Sequence, residues 1–155
     1  MTCVLRCLTT RLSDEPYNFW SVAHRRYPHP RVDVRFTMKT YITERFTFEA
    51  AHRLDGIGNK NATIHGHSYE VFVTISGEPD SRYGWLIEQG EFQKRAKHVI
   101  GYLDHSYLNE FMELTTAEVI AQHIFLRLSE NRFPDHITLE SVKVCKVGMC
   151  AEVRG

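Results

Sequence analysis

The sequence predicts an α+β domain in which two helices lie on one face of an antiparallel sheet. Three observations carry that prediction. Stretches near 41–54 and 64–76 are rich in aromatic and β-branched residues, the first with clear period-two alternation. Two later stretches space apolar residues at helical intervals. A last β-branched run follows them, giving the order strand–strand–helix–helix–strand.

Residues 1–37 stand apart from this pattern. They hold six arginines (Arg6, Arg11, Arg25, Arg26, Arg31, Arg35) against three acids (Asp14, Glu15, Asp33), and Pro16, Pro28 and Pro30. No period lasts for a full element, which predicts a poorly ordered extension. Met38 is a candidate start, since clean patterning begins just after it. A basic arm for a partner is the functional alternative.

From Tyr41 to Leu54 the chain reads as a strand, with Phe46, Phe48, Ala50 and His52 on one face. Residues 55–63 form a glycine- and asparagine-rich connection. A second strand runs from about Ile64 to Ser76. Glu78-Pro79-Asp80 opens a loop that ends near Gly84. The first helix spans about Glu88 to Tyr102, and Phe92, Ala96 and Ile100 form its apolar stripe. The second starts at a capping box with Thr115 as N-cap and Glu118 three residues on. Ile120, Ile124 and Leu128 line its core face, and Pro134 lies beyond its end. The last strand covers about Ile137 to Val147.

At 155 residues the chain suits one domain with its own core. Nineteen basic and nineteen acidic residues cancel, which argues against a broad nucleic-acid or membrane surface. No apolar run approaches the roughly 18 residues of a membrane span. Cys3, Cys7, Cys145 and Cys150 read as free thiols in a reducing cytoplasm. Cys3 and Cys7 lack the second ligand pair of a zinc knuckle, and the broken N-terminal apolar stretch does not read as a signal peptide.

The chemistry concentrates in histidines. In His65-Gly66-His67 two imidazoles share one strand face. If residues 55–63 close a hairpin, His52 lies across from the pair. Three neutral imidazoles with one open position are the arrangement of a catalytic zinc site rather than a closed structural one. Unrelated buried histidines are the bland alternative, as a solvent-facing helix end is for Asp104-His105. In its functional reading Asp104 orients His105 as a general acid–base.

Together these segments resemble the 6-pyruvoyl-tetrahydropterin synthase family. The nearer branch is the bacterial 6-carboxytetrahydropterin synthases of the queuosine route. The resemblance rests on Phe46-Thr47-Phe48-Glu49-Ala50-Ala51-His52-Arg53-Leu54, Ile64-His65-Gly66-His67-Ser68-Tyr69, Gly84-Trp85-Leu86-Ile87, Leu103-Asp104-His105 through Leu108-Asn109, and Thr116-Ala117-Glu118. It covers about Met38 to Gly155.

It implies a T-fold, with a four-stranded antiparallel sheet and two helices on one face, assembled as a dimer of trimers in the cytoplasm. It implies zinc on His52, His65 and His67, gripping the side chain of 7,8-dihydroneopterin triphosphate, with Asp104–His105 moving protons. Thr116, Glu118 and Lys146 are then candidate pocket residues. The family's cysteine, four residues before the first histidine of His-Gly-His, is Asn61 here. Its pterin-anchoring glutamate is Lys146, unless the register slips to put Cys145 inward. The expected function is a zinc-dependent lyase or synthase acting on a dihydropterin. A changed pterin-like substrate or reaction, or a zinc-binding homologue without turnover, are the alternatives.

Overall fold

The structure, a computed structural model, describes residues 38–56, 60–131 and 133–155. The extension expected over 1–37 lies outside them. Strand β1 (Thr40–His52) and strand β2 (His65–Gly77) pair antiparallel without a break, from Thr40 opposite Gly77 to His52 opposite His65. The two strands therefore form the hairpin on which the expected place of His52 depends. Phe46, Phe48, Ala50 and His52 are buried while Arg45, Thr47 and Glu49 are exposed, so β1 divides its residues between core and open face.

Helix α1 (Gln89–Ile100) buries Phe92, Ala96, Val99 and Ile100. Its N-cap is Glu88, whose carboxylate accepts from the backbone N–H groups of Gly90 and Glu91, both at 2.9 Å. A two-residue strand β3 (Ser106–Tyr107) pairs parallel to β1. Helix α2 (Ala117–Glu130) buries Ile120, Ile124 and Leu128, the predicted stripe.

Strands β4 (Ile137–Lys146) and β5 (Met149–Arg154) complete a five-stranded mixed sheet of order β3-β1-β2-β4-β5. This corrects the expected four-stranded antiparallel sheet. The short β3 adds a parallel neighbour, and the last run folds back on itself at Val147-Gly148. Both turn residues have positive φ, 47° and 80°, the backbone of a two-residue hairpin turn whose twist matches its strands.

One core holds these layers together. Phe48 stacks on Tyr69 with centroids 4.7 Å apart, and Phe46 meets Phe92 edge-on at 6.3 Å. Val71, Val73, Ile75, Val142 and Val144 contribute the rest of the sheet's apolar face.

Two local expectations change. Thr115 is not the cap of α2: Thr116 is, and its side chain makes no capping hydrogen bond. Cys145 and Cys150, directly opposite on β4 and β5, form a disulfide rather than standing as free thiols. Cys3 and Cys7 lie outside the described residues.

Candidate metal centre

The hairpin sets His52 beside His65, and the two-residue repeat of β2 sets His67 on the same face. Ring centroids are 4.6 Å apart for His52–His65, 5.1 Å for His52–His67 and 4.9 Å for His65–His67. One nitrogen from each ring lies within 4.8 Å of the others, a spacing that modest ring rotations bring onto a single ion.

Two of the rings are oriented from behind. The Thr115 hydroxyl donates to the Arg53 carbonyl at 3.0 Å, so its oxygen is left to accept from His52 Nδ1–H, also at 3.0 Å. His65 Nδ1–H donates to the Thr63 carbonyl at 2.8 Å. Both rings thus carry their proton on Nδ1 and keep the Nε2 lone pair for a metal, the arrangement found behind histidine ligands generally. The donor set is three neutral imidazoles, which suits zinc, and no fourth protein ligand joins them among the described residues.

The environment disfavours a proton charge on two of the three rings. Burial, then the Lys146 charge, then His65 and His67 push the His52 pKa down to about 4. Burial, then Lys146, lowers His67 as well. Beneath the rings Tyr69 is fully buried, edge-on to His52 at 6.4 Å and to His67 at 5.9 Å. Its hydroxyl has no hydrogen-bond partner among the described residues, and burial pushes its pKa up to about 12.

Lys146 joins this face. Its Nζ is 3.4 Å from His52 Nε2 and 6.0 Å from the Tyr69 ring centroid. Cys145, opposite Glu70, points to the other face and is tied to Cys150. The alternative register, with Cys145 inward, is therefore not the one adopted. Glu118 is exposed on the first turn of α2. Its own backbone N–H, the Thr116 hydroxyl and then Lys146 lower its pKa.

Asp104 and His105 sit across the sheet edge. Asp104 Oδ1 accepts from the Glu49 N–H at 2.9 Å and pairs with His105 Nδ1 at 3.0 Å. The Glu49 N–H, then His105, hold its carboxyl below the usual range. The His105 N–H donates to the Glu49 carbonyl at 2.6 Å, and φ at His105 is +56°, uncommon outside glycine. Its side chain is 80% exposed, in a cleft of about 440 Å³ that His67, Glu49 and Ser68 also line. Asn61 is exposed in a short turn (Lys60–Ala62), and its carbonyl accepts from the Leu54 N–H at 2.8 Å.

Sequence reasoning missed Thr115 as a ligand-orienting residue, Tyr69 as the floor and Glu49 as the anchor of Asp104–His105. The doublet Thr115-Thr116 ahead of Glu118 was the available signal for the first, since one threonine suffices for a cap.

A family model described as 6-pyruvoyl tetrahydropterin synthase matches residues 41–154. The 6-carboxy-5,6,7,8-tetrahydropterin synthase of Synechocystis sp. is 31% identical over 111 residues, covering 67% of this chain and 86% of that one. The protein of the same name from Haemophilus influenzae is 29% identical over 129 residues, covering 66% and 89%. Among solved structures, 6-pyruvoyl tetrahydropterin synthase of Caenorhabditis elegans matches with a TM-score of 0.69 at 24% identity, over 76% of this chain and 96% of that one. The Plasmodium vivax protein of that name matches with a TM-score of 0.63 at 17% identity, over 76% and 98%.

Proposed function

The chain belongs to the 6-pyruvoyl tetrahydropterin synthase family, and on that premise we propose that it is a zinc-dependent lyase or synthase acting on a dihydropterin such as 7,8-dihydroneopterin triphosphate. The nominal reaction is that of a 6-carboxytetrahydropterin synthase in the queuosine route. The observation that carries the reading is the triad of His52, His65 and His67, with Nδ1 of His52 and of His65 committed to Thr115 and to the Thr63 carbonyl so that Nε2 of both faces the third ring.

Zinc held there would supply a Lewis acid for the hydroxyls of the substrate side chain. The chain's own residues do the rest. Thr115 and the Thr63 carbonyl keep His52 and His65 in their ligand tautomer. Asp104, held ionised by the Glu49 N–H, fixes the Nδ1 side of His105 and leaves Nε2 to take or give a proton. Thr116, Glu118 and Lys146 frame the substrate. Asn61 stands at the family's cysteine position, and a carboxamide cannot accept a proton at neutral pH, so proton traffic falls to Asp104–His105.

A cytoplasmic hexamer, a dimer of trimers, is part of the proposal. Among the described residues β3 covers β1 only at Ala50 and Ala51, and β5 ends the sheet, so two strand edges are free to pair with other copies. No helix of the described residues is long and apolar enough to cross a membrane.

A second reading, a changed pterin-like substrate, is favoured by one observation: an ammonium, Lys146, beside the ligand nitrogen of His52. The deciding experiment incubates zinc-loaded full-length protein with 7,8-dihydroneopterin triphosphate and follows products by chromatography. The nominal reading expects the 6-carboxy product with loss of triphosphate and acetaldehyde. No turnover at high protein concentration would sink it and leave the second reading.

A further inference from the structure

Lys146 is held against the metal face by its strand. Cys145 and Lys146 alternate on β4, Cys145 is fixed to Cys150 on the opposite face, and the two-residue turn at Val147-Gly148 follows at once. The half-buried Lys146 therefore projects toward the triad, its Nζ 3.4 Å from His52 Nε2. That nitrogen accepts from the Lys146 ammonium, and it is the one that would ligate a metal, because Nδ1 is committed to Thr115. Any ion held by His52 is then an immediate neighbour of the ammonium.

Two cations side by side repel, and the repulsion is stronger where burial excludes water. Lys146 makes no ion pair within 4.0 Å among the described residues. Glu118 acts on it only through space, from an exposed position on α2. A neutral or guanidine-like ring edge placed here leaves the repulsion standing. An oxyanion removes it, with one oxygen for the metal and another for Nζ. Lysine suits this role as a compact point charge with three donors.

We propose that Lys146 makes this centre selective for substrates bearing a carboxylate or phosphate group that bridges the metal and the Lys146 ammonium. The inference rests on the metal-site reading above and names the class of ligand that the site takes.

The test uses full-length protein loaded with cobalt(II) in place of zinc, whose visible absorption reports what enters the open coordination position. Acetate and inorganic phosphate are titrated separately, with acetamide as the uncharged control. The comparison is among wild type, Lys146→Gln and Lys146→Arg, each checked for bound cobalt. The expected result is a spectral change with acetate, phosphate or both, at concentrations about tenfold or more below those needed by Lys146→Gln. Lys146→Arg should restore most of the difference, and acetamide should give no change. The anion that shows the lysine dependence identifies the substrate group. Equal midpoints in wild type and Lys146→Gln, with cobalt bound to both, would overturn the inference and leave the metal site intact. So would a cobalt spectrum that changes on Lys146→Gln before any anion is added, because the lysine would then be a ligand itself. Failure of all three proteins to bind cobalt would overturn the underlying reading as well.

Discussion

Thr115 decides which nitrogen of His52 faces an ion, and it does so from 63 positions away in sequence. Replacing it by valine keeps the shape but leaves His52 Nδ1–H without its partner, while the Arg53 carbonyl keeps its bond from Asn109 Nδ2. Zinc affinity of Thr115→Val, measured by chelator competition, should fall about 10–100-fold. A wild-type affinity would remove Thr115 from the site. His52 itself makes stability depend on pH. Its folded pKa of about 4 lies below the ordinary 6.5, so between those values the unfolded chain binds a proton that the folded state refuses. The contribution is therefore full above about pH 6.5 and is lost as pH falls toward 4. Urea midpoints of metal-free protein should drop from pH 7 to pH 5, and His52→Gln should flatten that drop; equal slopes would contradict it. The triad was legible because a two-residue repeat and a hairpin are local signals. Thr115 was not, because a threonine before a helix reads equally well as a cap.

The β4–β5 hairpin is where element-level reading fell short. Val147-Gly148 sits within a β-branched run, and nothing in it marks a turn as Asn-Gly would. The structure nevertheless puts Val147 at φ +47°, in a region costly for a β-branched side chain, while leaving that side chain 83% exposed. Packing therefore gives little back. Val147→Asn, which creates Asn-Gly, should stabilise the protein by about 1 kcal/mol in urea denaturation. Destabilisation would mean that Val147 is held by contacts beyond the hairpin. Cys145–Cys150 was equally hidden, since pairing across a hairpin cannot be read until the hairpin is known. By contrast α1 was legible to its first turn. Its stripe at Phe92, Ala96 and Ile100 repeats at helical spacing, and Glu88 caps it with a carboxylate just where the sequence starts the helix.

Across the whole molecule the layer order was legible, because strands with one buried face and helices with one apolar stripe leave few ways to pack. The assembly was not, because free strand edges are a property of the finished sheet. If those edges pair between copies, sedimentation velocity should report a hexamer; a monomer at micromolar concentration would contradict the proposed assembly. The hydrogen bonds between Glu49 and the Asp104–His105 pair have a mechanical consequence. Glu49 is gripped at both its N–H and its carbonyl, and it lies three residues before His52 on the same strand. Strand β1 thus carries His52 of the triad at its end and has the segment bearing the exposed imidazole of His105 clipped to its side. Loading zinc should tug that strand and shift the His105 ring signals in NMR, although His105 is not one of the three ligands. An unmoved His105 would show the clip to be slack; a shifted one would make this exposed ring a built-in gauge of metal occupancy.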